Sequence, residues 1–211
     1  MELELIKFTI IAFTSLFALV NPIGFTPMFI SLVDGMPHHK KNKIANRGVL
    51  TATLILTMFL FIGEFIFQFF GITTEAFKIA GGILFMRSSF NLMEVKKSRT
   101  RTTPAEEEDT NDIEDIAYTP IGIPLIAGPG AITSIMVLAT ACNNNIEYKL
   151  SLLSVIILTM IITLIILRMS SKITKTIGTT GLRIIQRIMG IILLTISVQF
   201  IIDGVRSIIG N

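Results

Sequence analysis

Residues 19–28 read Leu19-Val20-Asn21-Pro22-Ile23-Gly24-Phe25-Thr26-Pro27-Met28, and residues 124–131 read Pro124-Leu125-Ile126-Ala127-Gly128-Pro129-Gly130-Ala131. Each lies inside a long apolar stretch, one over 8–32 and the other over 117–141. Proline removes a backbone donor and clashes with the preceding turn, while glycine tolerates non-helical dihedrals, so both stretches are predicted to be helices broken part-way along. In hydrocarbon an unsatisfied amide costs several kcal/mol, so such a break persists only where protein, water or a bound solute meets the freed groups. The pattern predicts a cavity as well as a kink.

The hydrocarbon setting follows from composition. Apolar residues make up 51% of the chain, charged residues only 16%, and the mean hydropathy is +0.72, which a soluble domain of this size does not tolerate. A bilayer core of roughly 30 Å takes about 20 apolar residues in helix, and six runs qualify: 8–32, 48–70, 75–93, 117–141, 150–168 and 183–208. The fifth carries no charge from Leu150 to Leu167, whereas Lys78 and Arg87 interrupt the third. The first run is expected to stay in the mature protein, because Glu2 and Glu4 precede it and no small-x-small cleavage site follows.

Lys and Arg collect on one side of these runs, around Lys40 to Arg47, Lys96 to Arg101 and Arg168 to Arg187, against Lys7, Lys78, Lys149 and Arg206 on the other. Retention of positive loops in the cytoplasm then predicts a multi-pass protein with both termini on the non-cytoplasmic side. Because the bases flank apolar runs and build no soluble basic face, nucleic acid is not an expected partner. Residues 94–116 turn abruptly basic and then acidic, which reads as a charged cytoplasmic linker between residues 1–93 and 117–211.

Two landmarks recur at one spacing. Pro22 and Pro129 are 107 residues apart, and Gly82 and Gly190 are 108 apart. The expected fold class is an all-α membrane protein whose six transmembrane helices form two inverted three-helix repeats, the first helix of each broken, since an odd number of spans turns the second copy upside down. Pro22 lies about 14 residues past Phe8 and Pro129 about 13 past Ile116, roughly 20 Å into the bilayer from opposite faces, so the breaks are expected to meet near mid-depth.

The half-helices are expected to begin near Phe25 and Ala131 and to present free N–H groups suited to an anion, while carbonyls near Leu19, Val20, Ile126 and Ala127 suit an ammonium or a coupling cation. The candidate substrate-binding residues are Asn21, Pro22, Gly24, Thr26, Gly128, Pro129, Gly130 and Thr133, with Ser15 and Ser134 in reach. Glu64, in the second span, is a candidate for coupling to a proton or a sodium ion, although its place near the span's outer end equally suits a water-exposed carboxylate. A plainer alternative is a pair of Pro-kinked helices packed through glycine with no ligand.

Catalysis is not expected. The only histidines, His38 and His39, fall in a basic loop, the single Cys142 has no companion ligands, and no Gly-rich nucleotide fingerprint is present, so neither metal nor cofactor is anticipated. The favoured function is a secondary transporter or exporter of a small polar metabolite, best suited to a neutral amino acid. A channel or drug-efflux protein would need a continuous polar stripe, which is not seen, and a non-transport membrane role is the remaining alternative.

Asn21-Pro22-Ile23-Gly24 with Pro27, Gly71-Ile72-Thr73, Ala76-Phe77 leading to Ile79-Ala80-Gly81-Gly82, and Pro124-Leu125 with Ala127-Gly128-Pro129-Gly130-Ala131-Ile132 together resemble the MarC family of integral membrane proteins, nearly end to end. The resemblance implies a bacterial inner-membrane protein of six spans, distantly similar to LysE-type amino acid exporters, some relatives being described as neutral amino acid transporters. Val20 stands where many relatives have Phe before Asn-Pro, and the acidic linker is particular to this chain.

Overall fold

The computed structural model describes residues 2–33, 35–94, 121–122, 126–142 and 145–210. Among these the regular structure is helical throughout: α1 (Glu2–Val20), α2 (Pro22–Leu32), α3 (His38–Phe70), α4 (Thr74–Glu94), α5 (Pro129–Ala141), α6 (Ile146–Ile173) and α7 (Thr180–Ile209). A wide π-type turn, in which the Ala127 N–H reaches back to the Gly122 carbonyl at 3.0 Å, leads into α5.

Four segments are long and apolar enough to cross a bilayer: Glu2–Ile30, which is α1 and α2 together, His38–Phe70, Ile146–Ile173 and Thr180–Ile209. At 21 residues α4 is also about 31 Å long, but Lys78 and Arg87 leave it outside that set. The fourth expected span is represented by the 13-residue half-helix α5. From residue 95 onward the expected linker lies outside the described residues, as do Pro124 and Leu125. Leu54, Phe61, Phe65, Ile161, Ile165 and Ile188 face outward, a surface that water would not tolerate and acyl chains would cover.

The helices pack in readable registers. α1 runs beside α6, with the Phe8 ring edge-on to Tyr148 at 5.0 Å and the Thr9 and Ser151 hydroxyls bonded at 2.6 Å. On α3 the inward stripe is Ala45, Gly48, Val49, Ala52, Leu56, Leu60 and Gly63, and the residues 107 further on, Leu152, Val155, Ile156, Thr159, Thr163, Leu167 and Ser170, are the inward stripe of α6. Three helix starts repeat likewise: Pro22 with Pro129, His38 with Ile146, and Thr74 with Thr180 are spaced 107, 108 and 106 residues.

α4 and α7 lie antiparallel in close contact through glycine. A β-carbon on Gly82 would sit 2.7 Å from the Ser197 carbonyl oxygen, and one on Gly190 would sit 3.2 Å from the Ser89 carbonyl oxygen. Gly190 stands 108 residues after Gly82, and Ser197 stands 108 after Ser89, so each helix offers the other the same glycine and the same carbonyl. Gly204 approaches the Glu75 carbonyl in the same way, at 2.9 Å.

Two glycines with positive φ end helices here. Gly71 (φ 64) closes α3 while the Ile72 N–H bonds the Phe67 carbonyl at 2.9 Å, and Gly178 (φ 71, ψ 168) separates α6 from α7 in a conformation that side chains rarely adopt. α5 ends at Cys142, whose buried thiol donates to the Leu138 carbonyl at 3.2 Å. Burial pushes that thiol above its ordinary range, with Lys149 pulling part of the way back.

Gly82→Ala places its β-carbon against backbone that has nowhere to go, so we expect a loss of about 1–3 kcal/mol, read as a lower melting temperature in detergent. Gly63→Ala meets only the flexible Met136 side chain, at 3.0 Å, and is expected to cost under about 1 kcal/mol; a larger loss at Gly63 than at Gly82 would contradict the packing described. Cys142, protonated and buried, is expected to react with maleimide at pH 7 at least about tenfold more slowly in the folded protein than after unfolding in SDS.

Candidate functional site

Asn21 is the only non-glycine residue with positive φ among the described residues, at φ 48 and ψ 54. Asparagine accepts this left-handed conformation more readily than most side chains, and Pro22 is suited to the first position of a helix. The break is therefore one residue wide. The Asn21 N–H still closes α1 on the Phe17 carbonyl at 2.9 Å, and the Asn21 carbonyl already accepts from the Phe25 N–H at 3.2 Å. Its side-chain Oδ1 takes the Gly24 N–H at 3.1 Å. A β-carbon at residue 24 would fall on the Asn21 amide, which explains Gly24.

The half-helices thus begin at Pro22 and Pro129, not near Phe25 and Ala131 as expected from sequence. The physical reason is the cap: Asn21 itself satisfies Gly24 and Phe25, so those amides are not open to a ligand. What stays open is the other end of the Asn21 side chain. Gly24 fixes the amide orientation, and Nδ2, on a residue 96% buried, has no partner among the described residues. A buried amide donor left unbonded costs about 1–3 kcal/mol, so it marks a place where another group belongs.

The second break is built differently. Gly128 is extended (φ −70, ψ 164) and has no side chain with which to cap α5, Pro129 follows it, and the Ile132 N–H returns to the Gly128 carbonyl at 3.1 Å. The Gly130 and Ala131 amides are the first-turn donors without an intrahelical acceptor. Both residues are buried. In each copy the threonine four residues after the proline turns back on it: Thr26 donates to the Pro22 carbonyl and Thr133 to the Pro129 carbonyl, both at 2.7 Å.

Phe85 of α4 joins the two breaks. Its ring lies so close over Gly130 that a β-carbon there would fall inside it. Phe85 shares a small buried cluster with Leu193 and with Leu19, two residues before Asn21, and its ring is edge-on to Phe200 at 5.8 Å. One turn earlier on α4, Gly81 makes room for the Thr133 side chain, whose γ-oxygen a β-carbon at 81 would crowd. The candidate residues of each break fall within six consecutive positions, and α4 lies against the second through Gly81 and Phe85.

Glu64 stands further along. It is half-buried next to Gly63, whose neighbour on α5 is Met136, about 9 Å along the helix axis from Gly130. Ser134 is buried on α5 and Ser15 half-buried on α1. Sequence reading did not single out Phe85 or Thr159. The Thr159 hydroxyl, on the inward stripe of α6, is the other buried side-chain group lacking a partner among the described residues, and Thr163 one turn on donates to the Thr159 carbonyl at 2.8 Å. The signal that would have found them is the repeat: the counterparts of Thr159 and Thr163 in α3 are the apolar Ala52 and Leu56, and the counterpart of Phe85 in α7 is Leu193. No group of three or more His, Cys, Asp or Glu side chains able to hold a metal occurs among the described residues.

Comparison with known proteins agrees with the helical, lipid-facing architecture. Residues 6–209 match the family described as MarC family integral membrane protein. A membrane protein of Pyrococcus horikoshii is 38% identical over 99% of this chain and 99% of its own length. One from Methanocaldococcus jannaschii is 36% identical over 96% of this chain and 89% of its own length. The Escherichia coli membrane protein YhcE is 35% identical over 93% and 91%. No solved structure matches the chain. With a family match over nearly its whole length, the chain belongs to the MarC family of integral membrane proteins.

Proposed function

We propose that this protein is a secondary transporter of a small polar metabolite, best suited to a neutral amino acid, with six spans in two inverted three-helix repeats (1–93 and 117–211 about the linker 94–116) in the bacterial inner membrane, both termini outside. The repeat reading is supported by the helix starts, the inward stripes of α3 and α6, and the reciprocal Gly82 and Gly190 contacts, all at spacings of 106 to 108 residues. The observation that carries the transport reading is the unbonded Asn21 Nδ2, buried beside a break in a membrane helix. Donors at Asn21 and in the first turn of α5 suit a carboxylate, and carbonyls near Ala127 suit an ammonium.

On this reading Phe85 is the gate. It covers the first turn of α5, so a carboxylate reaches Gly130 and Ala131 only when the ring swings aside. Glu64, half-buried on α3 next to the glycine that meets α5, is the group best placed for proton or sodium coupling.

Purified protein in liposomes is expected to move labelled alanine, glycine or threonine. Asn21→Asp keeps the cap on Gly24 but replaces the Nδ2 donor with an oxygen, so flux should fall by at least about tenfold, the worth of one hydrogen bond to a charged group. Unaltered flux in Asn21→Asp, and in the double variant Pro22→Ala with Pro129→Ala, would discard the mechanism. Phe85→Ala should leave the breaks accessible from both faces at once to a cysteine reagent placed at residue 133 in a Cys142→Ser background, where the parent admits it from one face at a time. Two-sided access in the parent would instead indicate a channel.

A further inference from the structure

The clearest feature outside the paired breaks is a groove on the lipid-facing side, between α3 and α6. Val49, Leu50 and Thr53 form one wall and Ile157, Ile161 and Leu164 the other, around a cavity of about 360 Å³. The helices are antiparallel here, so the Asn46 end of α3 meets the Arg168 end of α6. From Asn46 to Thr53 the slot is about 11 Å long, the reach of an acyl chain into one leaflet and well short of a bilayer core of roughly 30 Å.

The mouth of this slot is cationic. Arg168 donates from both Nε and Nη2 to the single Asn46 Oδ1, at 3.1 and 2.8 Å. That fork matches two oxygens of a phosphate or carboxylate, and here one neutral oxygen holds both arms. The guanidinium is exposed and fixed in place, and no carboxylate contacts it among the described residues. Lys172, one turn beyond Arg168, and Lys43, one turn before Asn46, are exposed on the same faces of their helices.

We propose that this groove is a binding site for an anionic phospholipid, its acyl chain in the slot and its headgroup on Arg168, Lys172 and Lys43. A cluster of bases at headgroup depth above an apolar slot is complementary to one molecule that carries both an anion and a hydrocarbon tail. The site does not depend on the transport reading, because Leu50, Ile157 and Ile161 open it to lipid and Val49 is the one member of the inward stripes that borders it.

Native mass spectrometry of the full-length protein, delipidated in detergent and titrated with phosphatidylglycerol or phosphatidylcholine, tests it. Phosphatidylglycerol should be retained at least roughly fivefold better, and Arg168→Ala should lower its retention roughly fivefold without moving phosphatidylcholine. Arg168→Lys, which keeps charge but not the fork, should fall between, and guards against misfolding in the alanine variant. Ile161→Trp, which fills the slot, should lower retention of both lipids. Equal retention of the two lipids by the parent, or no effect of Arg168→Ala, would overturn the proposal. So would competition by inorganic phosphate alone, or a dimer that Ile161→Trp dissociates, since the groove would then hold a free anion or a second copy of the chain.

Discussion

A backbone amide in hydrocarbon must be bonded, and this chain meets that demand at residue 21 with a side chain. The Asn21 carboxamide stands in for the missing helical acceptor at Gly24, its backbone carbonyl serves Phe25, and its N–H finishes α1. With the break held to one residue, α1 and α2 remain a single apolar span that contains a polar interruption. Everything proposed for the centre of the molecule relies on that interruption being stable without being fully satisfied.

The second break meets the same demand by other means. Gly128 offers no cap, so its neighbourhood is made acceptable by a π-type turn before it, by Thr133 folding back on Pro129, and by the Phe85 ring lying over Gly130. One break is closed by a polar group and the other by an aromatic lid. The two breaks thus differ in kind, one held by a side-chain cap and the other covered by a ring.

Much of this was legible in the sequence because proline and glycine constrain the backbone whatever surrounds them. Asn-Pro in one apolar run and Gly-Pro-Gly in another located both breaks, and the near-constant spacing of Pro22 with Pro129 and Gly82 with Gly190 pointed to a repeat, whose two glycines prove to be where α4 and α7 meet. What was not legible depended on tertiary neighbours. The half-helix starts were placed at Phe25 and Ala131 because nothing local announces a left-handed Asn21 that caps its own helix. Phe85 read as one more apolar residue, because its importance comes from which backbone it covers. Thr159 looked like any hydroxyl within a membrane helix, able to bond its own preceding turn, and only the fold shows that it does not.

The reciprocal contact between α4 and α7 restricts how these helices can move. Sliding one along the other by a residue would carry a side chain onto a backbone carbonyl at both glycines at once, so translation is blocked. The close approach of Gly204 to the Glu75 carbonyl extends the same restriction along the pair. Between these contacts lie Phe85 on α4 and Leu193 on α7. These two side chains touch the same small cluster, and Phe85 rests on the first turn of α5. The helix pair is thus locked in register around the residue that covers the second break.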